Sequence, residues 1–381
     1  MIRDFRGLLK QVFKIVYFSV RFLLLKAIEM LLKNKTPYKI QDFENGRILV
    51  YGLKRLGDMV ISIPAFEFLR EKFPKAYIVL ACTSYNKGLI EGIYFDKIIT
   101  QPSGFFERMR FISEIKSYGF DMAIDLTCDY DIFPAFAIYK SEAKIRIGYN
   151  AEGRGIFFTK TLPFVLNGKH AIRLLMDIVN TICETTGDFS NIVPRYEPLT
   201  EDIEYVEDYL KKNNIKKTMI GIHPGAHFPS QRWAKERFAA AIDEIGRQGL
   251  GDPVIFGSSR DEFLIKDILM LVKSIKPFVV LNEPVKKFAA FIKSCGVFLC
   301  NNSGPLHLAA AMSVPTVSTM GPTDYDLWRP LGNKNIVIRK TLECSPCNLA
   351  DCKEHKCMEM ITVDEVIEAV KKQLKEYAHG C

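Results

Sequence analysis

Several things are missing from this 381-residue chain, and each absence excludes a class. Glycine (24) and proline (18) are not enriched, and charged residues stand at an ordinary 25% beside 48% hydrophobic residues. A collagen-like fibre, a disordered chain and a small disulfide scaffold are therefore excluded. No G-x-G-x-x-G follows a strand-like run, which disfavours a nicotinamide or flavin dinucleotide site. Internal repeats and low-complexity segments are absent. The richest apolar stretch, 12–32, is interrupted by Lys14, Arg21, Lys26 and Glu29. A spanning helix needs about 20 nearly unbroken apolar residues, and a signal peptide an uninterrupted apolar run before a small-residue cleavage site. Neither is expected here.

Charge of one sign is also missing from most of the chain. The net charge is +8, yet residues 1–39 hold nine Lys or Arg against Asp4 and Glu29, a surplus of +7. Residues 40–381 keep only +1, so a nucleic-acid-binding surface spread over the protein is not expected. On a helical wheel Arg3, Arg6, Lys10, Lys14 and Arg21 share one face, and Leu9, Phe13, Val16, Val20 and Leu24 the other. Residues 1–39 read as a basic amphipathic helix lying on an anionic membrane surface. The competing reading packs its apolar face on the body of the protein or on a second subunit.

The body alternates strand-like and helix-like runs. Strands are predicted at 48–51, 77–82, 97–100, 122–126 and 145–148, with a helix over 61–72 and further helical stretches between. After a pause at 194–198 comes a helix over 200–213. A second series of strands follows at 218–223, 253–257, 279–281, 297–300 and 316–319, with helices at 234–247, 261–274, 285–294 and 305–312. Such alternation predicts α/β architecture with parallel sheets covered on both faces. The length suits two domains: 47–198 and 200–360, each Rossmann-like, facing across a cleft. Thr362 and Glu365 form a capping box that opens a last helix over 362–377.

Three loops stand where parallel sheets bind ligands, after the carboxyl ends of strands. Leu56, Gly57 and Asp58 follow the first strand of the first half. Asp58 is a carboxylate suited to acid–base work, although an Asp before a helix is commonly only a cap. The second loop, 221–226 with Ser230, Gln231, Arg232 and Trp233, follows the first strand of the second half. Its small residues and exposed amides can cradle an anion, with Arg232 adding charge. The third is 301–307: Ser303 is suited to cap a helix, Pro305 to its first turn, and Gly304 to close approach of a ligand. From spacing alone, His307 reads as a core histidine. Two anion-suited loops in one half and an acidic loop in the other point to a nucleotide-diphosphate site.

The segments ILVYGLKRLGDMVISIP (48–64), IHPGAHFPSQRWAKERF (222–238) and NNSGPLHLAAAMSVPTVSTMGPTD (301–324) resemble the marker segments of the heptosyltransferases, glycosyltransferase family 9. The resemblance covers about residues 47–375. It implies a GT-B fold that binds a lipid-linked saccharide acceptor, such as a lipopolysaccharide core, on the first domain and a nucleotide sugar, ADP-heptose, on the second. It implies inverting transfer with Asp58 as general base and no required metal or cofactor. The leaving diphosphate would be held by Gly225, Ala226, Ser230 and Arg232 and by the amides of Ser303, Gly304 and Pro305, with His307 on the donor side. Asp261 and Glu262 match an acidic position that binds a ribose hydroxyl. Two positions depart from the pattern: Gln231 replaces a Lys, and Asn302 replaces an Asp that would sit near the donor sugar. These departures leave open a different nucleotide sugar, or a catalytically silent nucleotide-sugar-binding protein. The family implies a cytoplasmic enzyme, peripheral on the inner membrane.

Of ten cysteines, Cys82, Cys128, Cys183, Cys295 and Cys300 sit in or beside apolar runs and read as small core residues. A separate cluster, Cys344, Cys347, Cys352 and Cys357, could close a structural zinc site. Two local disulfides are the competing reading, less expected in a reducing compartment.

Overall fold

The computed structural model describes residues 20, 21, 23, 25, 45–52, 54–128, 130–166, 168–183, 187, 189 and 191–378. They build two six-stranded, wholly parallel sheets. The first contains β1 (Arg47–Tyr51), β2 (Tyr77–Cys82), β3 (Lys97–Thr100), β4 (Met122–Asp125), β5 (Ile145–Asn150) and β6 (Lys160–Pro163), in the order β3-β2-β1-β4-β5-β6. The second contains β7 (Met219–His223), β8 (Asp252–Gly257), β9 (Phe278–Leu281), β10 (Cys295–Asn301), β11 (Thr316–Met320) and β12 (Asn335–Arg339), in the order β12-β11-β10-β7-β8-β9. Read from its own first strand, each sheet has the doubly wound order 3-2-1-4-5-6, whose switch points lie between β1 and β4 and between β7 and β10. Central strands such as YIVLAC and CGVFLCN are buried along nearly their whole length, as parallel strands covered on both faces must be.

Two compact units result, and the chain passes between them more than once. Among the described residues, unit 1 takes those within 1–54, 65–167 and 173–188, and unit 2 those within 55–64, 168–172 and 189–381. One core cluster of unit 1 gathers Leu49, Tyr51, Val79, Phe111, Ala123 and Phe157. The core of unit 2 is built on Ile222, Trp233, Phe238, Leu299 and Val317, and the closing helix Val363–Ala378 adds Val366 and Val370 to it. A buried ion pair braces the carboxyl end of β4. Arg154 and Asp125 are both wholly buried, and Thr127 donates to the carboxylate from its N–H (2.9 Å) and its hydroxyl (2.6 Å).

Two differences from the expected elements have physical causes. β6 and β12 were not expected, because both are edge strands, short and only partly buried, and carry no long apolar run. The helix expected over 61–72 is two helices, Leu56–Ile61 and Ile63–Lys72. They break at Ser62, whose hydroxyl donates to the Asp58 carbonyl (2.8 Å), just before Pro64, which has no N–H to give. The basic helix expected over 1–39 lies outside the described residues except at Val20, Arg21, Leu23 and Leu25, which are helical. There Arg21 turns inward, its guanidinium donating to the Tyr130 carbonyl at 2.7 Å, and Leu25 joins the core of unit 1. Val20 and Leu23 stay exposed, at 50% and 67%.

Candidate active site

Unit 2 assembles the predicted loops around the switch point of its own sheet. The Leu56–Ile61 helix carries Asp58 in its first turn, half-buried, and it packs in unit 2 although it follows β1 in the chain. Its partner is the Gly304–Ala311 helix, which follows β10. A Cβ on Gly57 would stand 3.2 Å from the Gly304 Cα and 2.9 Å from the His307 ring; one on Gly304 would stand 2.9 Å from the Leu56 Cβ. Leu56, Gly57, Gly304 and His307 are therefore one contact surface, and the amino ends of two helices lie side by side. Free backbone N–H groups at such ends favour an anion. His307 is 7% exposed, and burial, helped by His170, drives its imidazole down to about 3, so it stays neutral.

The loop after β7 is held by a residue with no role among the expected site residues. Asn301, fully buried at the end of β10, donates to the carbonyls of Pro224 (2.7 Å) and Gly225 (3.4 Å). Its side-chain oxygen accepts from the Trp233 N–H and the Thr319 hydroxyl, both at 2.9 Å. One amide thus ties the loop after β7 to β10 and β11. Asn302 is nearly buried and donates to the Trp328 carbonyl (3.2 Å). Ser303 occupies the cap position, but its hydroxyl bonds the Asn301 carbonyl (3.3 Å) rather than the helix N–H groups. Its side chain caps none of them, and the Leu306 N–H goes to the Ser303 carbonyl (3.0 Å). Pro305 has no N–H and cannot be one of them; it presets the helical turn instead.

Around the loop after β7 the positive charge is greater than Arg232 alone. Exposed His227 has its pKa lowered by partial burial and then by three guanidinium groups, Arg55, Arg260 and Arg232. Arg55 precedes the Asp58 helix and lies over the Phe228 ring, 5.3 Å from its centroid. Arg232 donates twice to the Ala226 carbonyl (3.2 and 3.0 Å), curling the loop. Gln231 is absorbed structurally: its amide oxygen accepts from the Phe228 N–H (3.3 Å) and its nitrogen donates to the Thr323 hydroxyl (3.0 Å). Asp261 is nearly buried, its carboxyl carbon 2.9 Å from where a Gly225 side chain would begin, and Ser258 donates to it from N–H and hydroxyl. Glu262, half-exposed, accepts only a long bond from Asn282 (3.4 Å) among its described hydrogen bonds.

Ser230 faces away from solvent and into the cysteine loop. Its hydroxyl donates to the Leu349 carbonyl (2.5 Å), its N–H to the Ala350 carbonyl (3.3 Å), and its carbonyl meets the His355 ring nitrogen (2.6 Å). Residues 344–357 thereby clasp the turn that precedes Arg232. Cys344, Cys347, Cys352 and Cys357 are free thiols. Burial raises the pKa of Cys357, and the three neighbouring thiols Cys347, Cys352 and Cys344 add to the rise. Among the described residues no three Cys, His, Asp or Glu side chains are arranged to hold a metal ion.

A model of glycosyltransferase family 9 (heptosyltransferase) matches residues 108–358. The chain belongs to that family. Lipooligosaccharide heptosyltransferase 2 of Campylobacter jejuni is 26% identical over 330 residues, 84% of this chain and 96% of that protein. The solved glycosyltransferase family 9 protein of Veillonella parvula superposes with a TM-score of 0.75 at 23% identity, covering 87% of this chain and 97% of its own. Escherichia coli ADP-heptose lipopolysaccharide heptosyltransferase II gives 0.72 at 21%, covering 87% and 99%. The fold is GT-B, made of two Rossmann-like units, and this family 9 protein is a glycosyltransferase. Among the described residues no helix is long and apolar enough to cross a membrane.

Proposed function

We propose that this family 9 enzyme transfers a heptose from ADP-heptose, with inversion, to a lipid-linked saccharide acceptor of the lipopolysaccharide-core type, at the inner face of the membrane. The observation that carries the reading is the convergence of Arg55, Arg232 and Arg260 on His227, beside the loop after β7 at a sheet switch point. A doubly charged leaving group suits that field, and neutral Gln231 costs the site nothing that the three arginines do not supply. The relatives named for ADP-heptose and lipopolysaccharide or lipooligosaccharide support the choice of donor and acceptor.

In the proposed step the acceptor hydroxyl oxygen attacks the anomeric carbon while the bond from that carbon to the diphosphate oxygen breaks. The hydroxyl proton passes to the Asp58 carboxylate, and the bonding pair leaves with the nucleoside diphosphate. The guanidinium groups and the N–H groups of Ser303 and Gly304 stabilise the charge as it develops. Asp261, anchored through Ser258, shapes the donor loop, and Glu262 is the carboxylate left to meet a ribose hydroxyl. Asp58→Asn tests the reading. Turnover should fall by about two orders of magnitude or more, while thermal stabilisation by ADP persists and exceeds that by UDP or GDP. Near-normal turnover in that variant sinks the assignment of the base.

A further inference from the structure

After β11 the chain makes a single helical turn, Tyr325–Trp328, too short to be stable by itself. Side chains hold it at both ends. Asp324 caps its start, accepting from the N–H groups of Asp326 (3.0 Å) and Leu327 (3.3 Å). At its far end two successive carbonyls are taken. Asn302 donates to that of Trp328 (3.2 Å), and Nε2 of buried His170 donates to that of Arg329 (2.9 Å). The proton sits on that nitrogen because Nδ1 of His170 accepts from the Ile172 N–H (3.2 Å).

This scaffolding presents the Trp328 ring. The indole is half-buried and stands edge-on to the His307 ring, 6.4 Å between centroids. Among the described residues its N–H makes no hydrogen bond, whereas Trp233, 1% exposed, gives its own to the Ile361 carbonyl (3.0 Å). Asn302 and His307 bracket Ser303 and Gly304 in the chain, so the ring borders the amides assigned above to the leaving diphosphate. The amide at 302 is suited to this task. A carboxylate, the group that the family pattern places there, has no hydrogen to give to a carbonyl.

We propose that Trp328, held by Asn302 and His170, is the face against which the transferred sugar of the donor packs. The C–H groups on a pyranose face are weakly positive, and the indole face is the most electron-rich surface that a side chain offers. Apolar area and shape thus replace the charged acceptor that the expected carboxylate would supply. The proposal rests on the donor reading above and adds the residue that recognises the sugar, as distinct from the nucleotide.

Binding of ADP and of ADP-heptose to the full chain tests it. Trp328→Ala should weaken ADP-heptose by about tenfold and ADP by less than about twofold, and Trp328→Phe should restore most of the loss. Retained ADP binding shows that the Ala variant is folded. Asn302→Asp should also weaken ADP-heptose, and should add little to Trp328→Ala, because both remove the same contact. Tryptophan emission should respond to ADP-heptose in the parent but not in Trp328→Phe. Equal weakening of both ligands by Trp328→Ala overturns the proposal, as does no effect on either. So does ADP-heptose binding in Asn302→Asp equal to that of the parent. A parent that binds neither ligand overturns the donor reading along with it.

Discussion

Gly57 and Gly304 bring two helix starts together so closely that neither position has room for a methyl group. A Cβ on Gly304 would stand 3.0 Å from the Gly57 nitrogen, and one on Gly57 would stand 3.2 Å from the Gly304 Cα. The contact seats the helix that carries Asp58 against the helix that follows β10. Gly57→Ala and Gly304→Ala should each destabilise by about 1–3 kcal/mol through overpacking, and each should depress turnover. Separating the helices for one methyl makes room for the other, so the double variant should cost less than the sum. Strict additivity in urea midpoints would show that the two positions do not share this contact.

Asn301 answers for three backbone groups and a hydroxyl from inside the core. Asn301→Leu leaves the Trp233 N–H and the Pro224 carbonyl without this partner, at about 1–3 kcal/mol for each buried group. Asn301→Asp sets a carboxylate oxygen against the Pro224 carbonyl. Both variants should raise the donor KM more than they lower kcat, because they loosen the loop and do not touch the reacting atoms. Chemical denaturation and steady-state kinetics check both halves; an unchanged midpoint in both variants refutes the staple.

The paired α/β series was legible in the sequence because parallel strands buried on both faces are written as unbroken apolar runs, such as YIVLAC. Edge strands lack that signature, so Asn335–Arg339, only partly buried, was not read as a strand. The candidate loops were legible from position, since each follows a strand at a switch point. The sources of charge were not. Arg55 and Arg260 are far apart in sequence, and only folding brings both near His227. Asn301 hid in a pair of asparagines that resembles an ordinary polar loop. Its one signal was an amide placed directly at the end of the apolar strand VFLC, where a polar side chain has to find buried partners.

Arg55 and Arg260 should contribute to nucleotide binding through their field. Both are exposed, so each replacement by Gln should weaken ADP by roughly fivefold, about 1 kcal/mol, and less at high salt. Arg232→Gln should cost more, since it also releases the Ala226 carbonyl. A second readout is the His227 imidazole. Its pKa is lowered partly by these cations, so an NMR titration should find it higher in each variant. An unmoved His227 in Arg55→Gln would place that guanidinium outside the cluster.

His307 makes stability depend on pH in a window set by its burial. The unfolded chain takes up a proton on this imidazole near the ordinary 6.5, whereas the folded protein does so only near 3. Between those values the unfolded state holds the extra proton, so stability is present in full above about 6.5 and declines as the pH is lowered toward 3. From pH 6.5 to about pH 5 the loss from this one group is about 2 kcal/mol. His307→Gln cannot titrate. Whatever it costs at neutral pH, its stability should fall less steeply over the same interval. Urea midpoints of parent and variant at both pH values decide the matter, and parallel slopes would mean that the imidazole against Gly57 is not held neutral by the fold.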